Sequence, residues 1–220
     1  MNQENDIIFA ILFRFLFYLK SSTHSYMIPL IDTIKKYVDL TNEEEKTVLT
    51  LYKKEFIKAG TPILLMGDIC NKMWYLEKGL LQYLVDDPVN GDMRIIAFRK
   101  EGQFTSDIES FLNKTITTKA VICIEDSVLY SITYAELQDF YRLISTGERF
   151  GRLIVEELFI DAINQIMSFY SDSPSIRYQY FLKRDPDLVQ RVPQYMIASY
   201  LGIRPQSLCR LKKKLLMNQG

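Results

Sequence analysis

The 220-residue chain holds one histidine, three cysteines and one tryptophan. A solitary His24 excludes metal centres built on clustered imidazoles. It also excludes Ser-His-Asp and Cys-His chemistry unless His24 itself takes part. It follows Ser21-Ser22-Thr23, which reads as a solvated linker. Cys70, Cys123 and Cys209 are odd in number, far apart and form no CxxC, so they support neither a disulfide framework nor a zinc ribbon. They read as small apolar residues in a reducing cytoplasm. Net charge is missing too: 27 basic and 27 acidic side chains cancel. No overall field therefore draws the molecule to a polyanion.

A membrane span needs about 20 apolar residues. The most apolar stretch, Ile7 to Leu19, is thirteen residues long and one of them is Arg14. Glu4 and Asp6 precede it and no Lys or Arg does, which argues against a secretory signal. Two readings stay open for residues 1–26: a peripheral apolar helix, or a translated extension that is not native to a protein starting at Met27. The remaining composition, 48% hydrophobic and 25% charged, excludes low-complexity disorder, collagen and a coiled-coil rod. The length suits one large or two small domains.

What is present is uneven. From Leu188 to Gly220 there are six Arg or Lys and no Asp or Glu, which leaves the first 187 residues at minus six. A basic end on an acidic body suggests a nucleic-acid module. Between Phe56 and Tyr134, short apolar runs alternate with Gly60, Gly67, Gly79, Gly91 and Gly102, and Asn90-Gly91 is a hairpin signal. That spacing predicts an antiparallel sandwich or barrel with room for eight strands, within an α+β chain. From Glu136 to Tyr170 there is no proline, and Phe150, Leu153, Ile154, Leu158, Ala162, Ile166 and Phe169 recur at helical steps. One long helix is predicted there, packing on the sheet or pairing with a second copy. Ser171 to Ser175 reads as a hinge, and a further helix is expected over Ile176 to Lys183.

Gln194 to Lys213 has the pattern of a helix-turn-helix. Ala198 lets two helices cross closely, Gly202 suits the turn, and Ile197, Leu201, Ile203, Leu208 and Leu211 fill the wedge. Pro205 fits the first turn of the second helix. At about 100° per residue, Leu208, Leu211 and Leu215 form one stripe and Gln206, Arg210 and Lys213 the opposite face. Ser207 flanks that face, with Lys212 and Lys214 at its borders. Arg reads guanine and Gln reads adenine in the major groove, while lysines supply phosphate contacts.

Together with Lys58-Ala-Gly60, Met66-Gly-Asp68, Tyr75 with Gly79, Gly102 and Ile108-Glu-Ser-Phe111, this arrangement resembles the Crp/Fnr family of bacterial transcription regulators over roughly Met27 to Leu216. The resemblance implies a cyclic-nucleotide-binding-like jelly roll at 27–135, a long dimerisation helix at 136–171 and a winged helix-turn-helix at 172–220, after an extension at 1–26. It implies a cytoplasmic homodimer on double-stranded DNA at an inverted-repeat site, with RNA polymerase as a further partner. Gln206 and Arg210 would meet base edges, and Ser207 and Gln194 phosphates. Pro205 stands where the best-known members place a base-reading Arg, and Arg204 beside it would compensate.

Members that bind cyclic AMP present Phe-x-Gly-Glu and then Arg-Ser or Arg-Thr. Here the first stretch is Phe104-Thr105-Ser106-Asp107, and the second is Thr117-Thr118-Lys119, with Thr117 at the Arg position. Lys119 would replace that charge only through a shift of register. The expected effector pocket (Ser106, Asp107, Thr117, Thr118) should therefore not take cyclic AMP, since a buried phosphate without its cation is costly. Another small-molecule effector stays open, and no cofactor or metal is expected. An enzyme on the roll needs converging ligands, and Phe56 to Tyr134 contains no histidine. The expectation is thus a DNA-binding regulator and no enzyme. The alternative is a small-molecule sensor acting through protein contacts, with a vestigial helix-turn-helix.

Overall fold

The computed structural model describes residues 28–88 and 91–217. The extension at 1–26, with His24, lies outside the described residues, as does Asn90 of the expected hairpin. Two helices lead in. α1 (Ile28–Lys35) buries Leu30 and Ile34, and the Tyr75 hydroxyl donates to the Pro29 carbonyl at 2.9 Å. α2 (Asn42–Leu51) opens with a capping box in which Thr41 and Glu44 satisfy each other's backbone N–H groups.

Eight strands follow, as the glycine spacing predicts: β1 (Lys53–Ile57), β2 (Pro62–Leu64), β3 (Lys72–Lys78), β4 (Leu80–Asp86), β5 (Met93–Lys100), β6 (Phe104–Thr105), β7 (Ala120–Cys123) and β8 (Ser127–Thr133). They pair antiparallel in two four-stranded sheets, β1-β8-β3-β6 and β2-β7-β4-β5, so the roll is open rather than a closed barrel. A short helix, α3 (Ile108–Asn113), lies between β6 and β7. Side chains such as Leu76, Leu81, Tyr83, Phe104 and Leu129 fill the space between the sheets. Gly79 makes the β3–β4 turn at φ 109, where any Cβ would collide with Ser127.

The single long helix expected over 136–171 is two helices. α4 (Tyr134–Leu143) and α5 (Gly147–Ser171) are separated by Ile144, Ser145 and Thr146. The cause is tertiary. Glu44, already capping α2, accepts the backbone N–H and the hydroxyl of Ser145 at 2.7 Å each, and Thr146 donates to the Asp39 carbonyl. Ile144 turns extended and buries fully. Of the predicted apolar stripe, Phe150 is buried, and Leu153, Ile154 and Leu158 are half-buried. Ala162, Ile166 and Phe169 are exposed.

The hinge is short: Asp172 closes α5, and Ser173 caps α6 (Pro174–Arg184), with proline in its first turn. α7 (Leu188–Arg191), α8 (Gln194–Tyr200) and α9 (Pro205–Met217) are the last elements of the described residues. Among the described residues no strand follows β8, so the expected wing is not among them, and α7 occupies the connection between α6 and α8.

These helices do not hang free of the roll. Leu80, Leu84, Ile95, Phe98 and Ala120, on the outer face of the second sheet, form one buried cluster with Tyr178, Phe181, Leu188, Val192, Ile197, Tyr200 and Leu201. Around its edge, Arg191 contacts Glu101, Glu125 and the Gly79 carbonyl at 2.8–3.0 Å. Lys100 bridges Asp185 and Asp187 at 2.9 and 3.1 Å, and Ser199 Oγ accepts the Ile95 N–H at 3.0 Å. No helix of the described residues is long and apolar enough to cross a membrane.

Glu44 carries a measurable signature. The Thr41 N–H and then the Ser145 hydroxyl hold its carboxyl down at about 2. A depressed carboxylate stabilises the fold above its unfolded value of about 4.3 and loses that contribution as the pH falls through the folded value. Denaturation curves of the wild type and Glu44→Gln should therefore differ at neutral pH and converge between about pH 4 and 2.

Candidate nucleic-acid interface and effector cavity

The C-terminal helix pair is built as its pattern requires. Leu201 caps the C-terminus of α8, and Gly202 takes φ 68, which reverses the chain. The Ile203 N–H then donates to the Ala198 carbonyl at 3.0 Å. Arg204 offers its carbonyl to the N–H groups of Ser207 and Leu208, and Pro205 has no N–H to satisfy at the start of α9. Ile197, Ala198, Leu201 and Leu208 are buried in the wedge; Ile203, Leu211 and Leu215 are half-buried. Behind it, Arg177 donates to the carbonyls of Asp172 and Leu201 and lies over the Phe169 ring, tying the hinge to the turn.

Gln206, Ser207, Arg210 and Lys213 are all exposed on α9, with Arg204 at its base and Gln194 at the start of α8. Among the described residues, none of these six side chains makes a hydrogen bond or ion pair. Among the described residues, none of the polar groups expected to face DNA is therefore consumed internally. Cys209 is also exposed, whereas Cys70 and Cys123 are buried.

The expected effector residues do not all converge. Asp107 is 4% exposed and Thr117 3% exposed, and the Thr117 hydroxyl donates to the Asp107 carboxylate. Lys119 Nζ reaches the other carboxylate oxygen at 2.8 Å. Lys119 and Thr117, in the irregular segment before β7, thus meet on the same carboxylate. Thr118, one residue out of phase, is exposed and is not part of the pocket. Ser106 turns its hydroxyl to the Lys72 carbonyl at 3.1 Å. Asp107, Thr117 and Lys119 thus form a closed set.

Beside them lies a cavity of about 160 Å³ between the roll and α5, lined by Ser106 but not by Asp107 or the two threonines. Its walls include Tyr52, Met73, Tyr83, Phe104, Phe150 and Ile154, and its cation is Arg99. Tyr83 is tied to Thr105 and to the Ser106 carbonyl, and burial pushes its phenol up. Sequence reasoning missed Arg99. The available signal was a basic residue in phase with the inward-facing Ala97 on β5. Among the described residues, no group of three His, Cys, Asp or Glu is placed to hold a metal.

Residues 54–143 match the family model of the cyclic nucleotide-binding domain. Three solved structures illustrate the wider likeness. FixK2 from Bradyrhizobium japonicum has 13% identity over 76% of this chain and 86% of its own, with a TM-score of 0.65. The c-di-GMP responsive global regulator CLP of Xanthomonas campestris has 16% identity over 81% and 93%, with a TM-score of 0.62. The catabolite activator protein of Thermus thermophilus has 16% identity over 83% and 87%, with a TM-score of 0.52. At such identities the likeness is one of fold. No curated protein matches the chain.

The closed set has a stability consequence. Removing one partner of a buried ion pair strands the other, at about 3 kcal/mol or more. Lys119→Ala should therefore cost about 3 kcal/mol in chemical denaturation. The double change Lys119→Met with Asp107→Asn should recover most of it.

Proposed function

Given that residues 54–143 are of the cyclic nucleotide-binding domain family and that the chain has the fold of Crp/Fnr regulators, we propose that the protein is a sequence-specific, homodimeric DNA-binding transcription regulator. The observation that carries this reading is the exposed, internally unpaired face of Gln206, Arg210 and Lys213 on a helix braced by a leucine wedge. A rigid helix with Gln and Arg on one face and lysines at its borders meets the chemical needs of the major groove. Guanidinium pairs with guanine O6 and N7, amide with adenine N6 and N7, and ammonium groups with phosphates. Arg204 stands at the mouth of the turn, so the preferred sequence departs from that of members with Arg at the Pro205 position. RNA polymerase remains a partner by analogy of fold alone.

Pairing uses α5. Val155, Phe159, Ile160, Ile163, Met167 and Tyr170 are exposed and fall within about 140° of the helix circumference. This face lies away from Phe150, Ile154 and Leu158, which meet the roll. An apolar stripe of this kind marks an interaction surface, and two-fold pairing along it would present two recognition helices together.

Cyclic AMP is not its signal. The carboxylate that would accept the ribose hydroxyl is held by Lys119 and Thr117, and Thr117 stands where cyclic-AMP-binding members place the phosphate-neutralising Arg. Thermal melts should not move with cyclic AMP.

Two measurements test the proposal. In anisotropy titrations on a selected site, Arg210→Ala should lose about 1–3 kcal/mol and relax one base position, whereas Lys213→Ala should weaken all duplexes alike and flatten the salt dependence by about one unit. In sedimentation, Phe159→Glu with Ile163→Glu should convert a dimer to a folded monomer. A monomeric wild type, or DNA affinity indifferent to Arg210, would refute the reading.

A further inference from the structure

The cavity beside the roll has an unusual distribution of charge. It is walled mostly by aromatic and aliphatic side chains, and its one cation, Arg99, projects from β5 rather than from the segment before β7. The Arg99 guanidinium lies 5.5 Å from the centre of the Tyr83 ring and donates from Nη1 to the Phe98 carbonyl at 3.0 Å. Among the described residues it forms no ion pair. Asp107, outside this cavity, is matched by Lys119 at 2.8 Å, and Arg99 also lines the neighbouring cleft with Glu157 and Asp161. In the neighbouring cleft, Glu157 receives the Tyr37 hydroxyl at 2.5 Å. A half-buried guanidinium beside an apolar space is a stable arrangement once an anion completes it, because buried charges are paired.

Size narrows the anion. The cavity of about 160 Å³ is close to the roughly 150 Å³ that holds a benzene ring in an apolar protein interior. One ring fits among Met73, Phe104, Phe150 and Ile154, with an attached carboxylate directed at Arg99.

We propose that this cavity binds a small aromatic monocarboxylate, its ring among the roll and α5 side chains and its carboxylate on Arg99. The inference deepens the regulator reading and rests on it. The same ligand would touch Ile154, Val155 and Leu158 of α5, within a turn of Phe159 on the pairing face, so occupancy would bear on the position of the helix pair.

The test is calorimetric titration of the full-length protein with benzoate, benzyl alcohol and cyclic AMP, with DNA affinity of the same preparation measured alongside. Benzoate should bind, and benzyl alcohol, which keeps the ring but not the charge, should bind about tenfold more weakly or worse. Arg99→Gln should lose benzoate by a similar factor. Ile154→Trp, which fills the cavity and leaves Arg99 in place, should lose both aromatic probes. Failure of benzoate to bind a preparation that still recognises DNA would overturn the ligand and leave the regulator standing. Equal binding to Arg99→Gln, or cyclic AMP displacing benzoate, would overturn it as well. Absence of DNA recognition with benzoate binding intact would instead strike the regulator reading.

Discussion

The outer face of the β2-β7-β4-β5 sheet is covered by the C-terminal helices, and the placement of α8 and α9 depends on that contact. Leu80, Leu84, Ile95 and Phe98 would otherwise be an exposed apolar surface; instead they share a core with Phe181, Ile197, Tyr200 and Leu201. Packing of that kind is non-directional, and the polar contacts at its edge give it direction. Arg191 joins Glu101, Glu125 and Gly79, its guanidinium held firmly protonated by these carboxylates. Burial alone would raise the Glu101 carboxyl, but Arg191 and the Gly79 N–H more than offset it and hold it below the usual range. With α8 fixed on the sheet, the wedge fixes α9, and the face of Gln206 and Arg210 can point only outward.

The same layout joins the cavity to the helix-turn-helix. The cavity beside Arg99 is walled by α5, and α5 runs directly into the two-residue hinge that Arg177 ties to Leu201. A shift of α5 against the roll is therefore a shift at both the pairing face and the base of the helix-turn-helix. Ligand free energy enters such a system only as the difference in affinity between two arrangements. An aromatic anion touching both β5 and α5 would have such a difference.

The helix-turn-helix is legible in the sequence because its determinants are local. Ala198, Gly202, Pro205 and the leucine spacing lie within about a dozen residues, and each answers one steric demand. The strands are legible for the same reason, through glycines at positive φ such as Gly79. The break at Ser145 is not legible. Its cause is Glu44, 101 residues away in sequence, and the intervening apolar periodicity is continuous. The role of Lys119 is not legible: its partner Asp107 is brought to it only by the folded connection between β6 and β7. Arg99 is hidden because an arginine in a strand usually faces water. The docking sheet left a faint trace, since Leu80 to Val85 is apolar almost without alternation, the pattern of a strand covered on both faces.

The most direct measurement is selection of duplexes from a random pool by the full-length protein. The account predicts enrichment of an inverted repeat whose half-sites are centred about 34 Å apart, one helical turn, so that two recognition helices meet one face of the DNA. Recovery of unrelated sequences, or of a lone half-site without its mate, would contradict it.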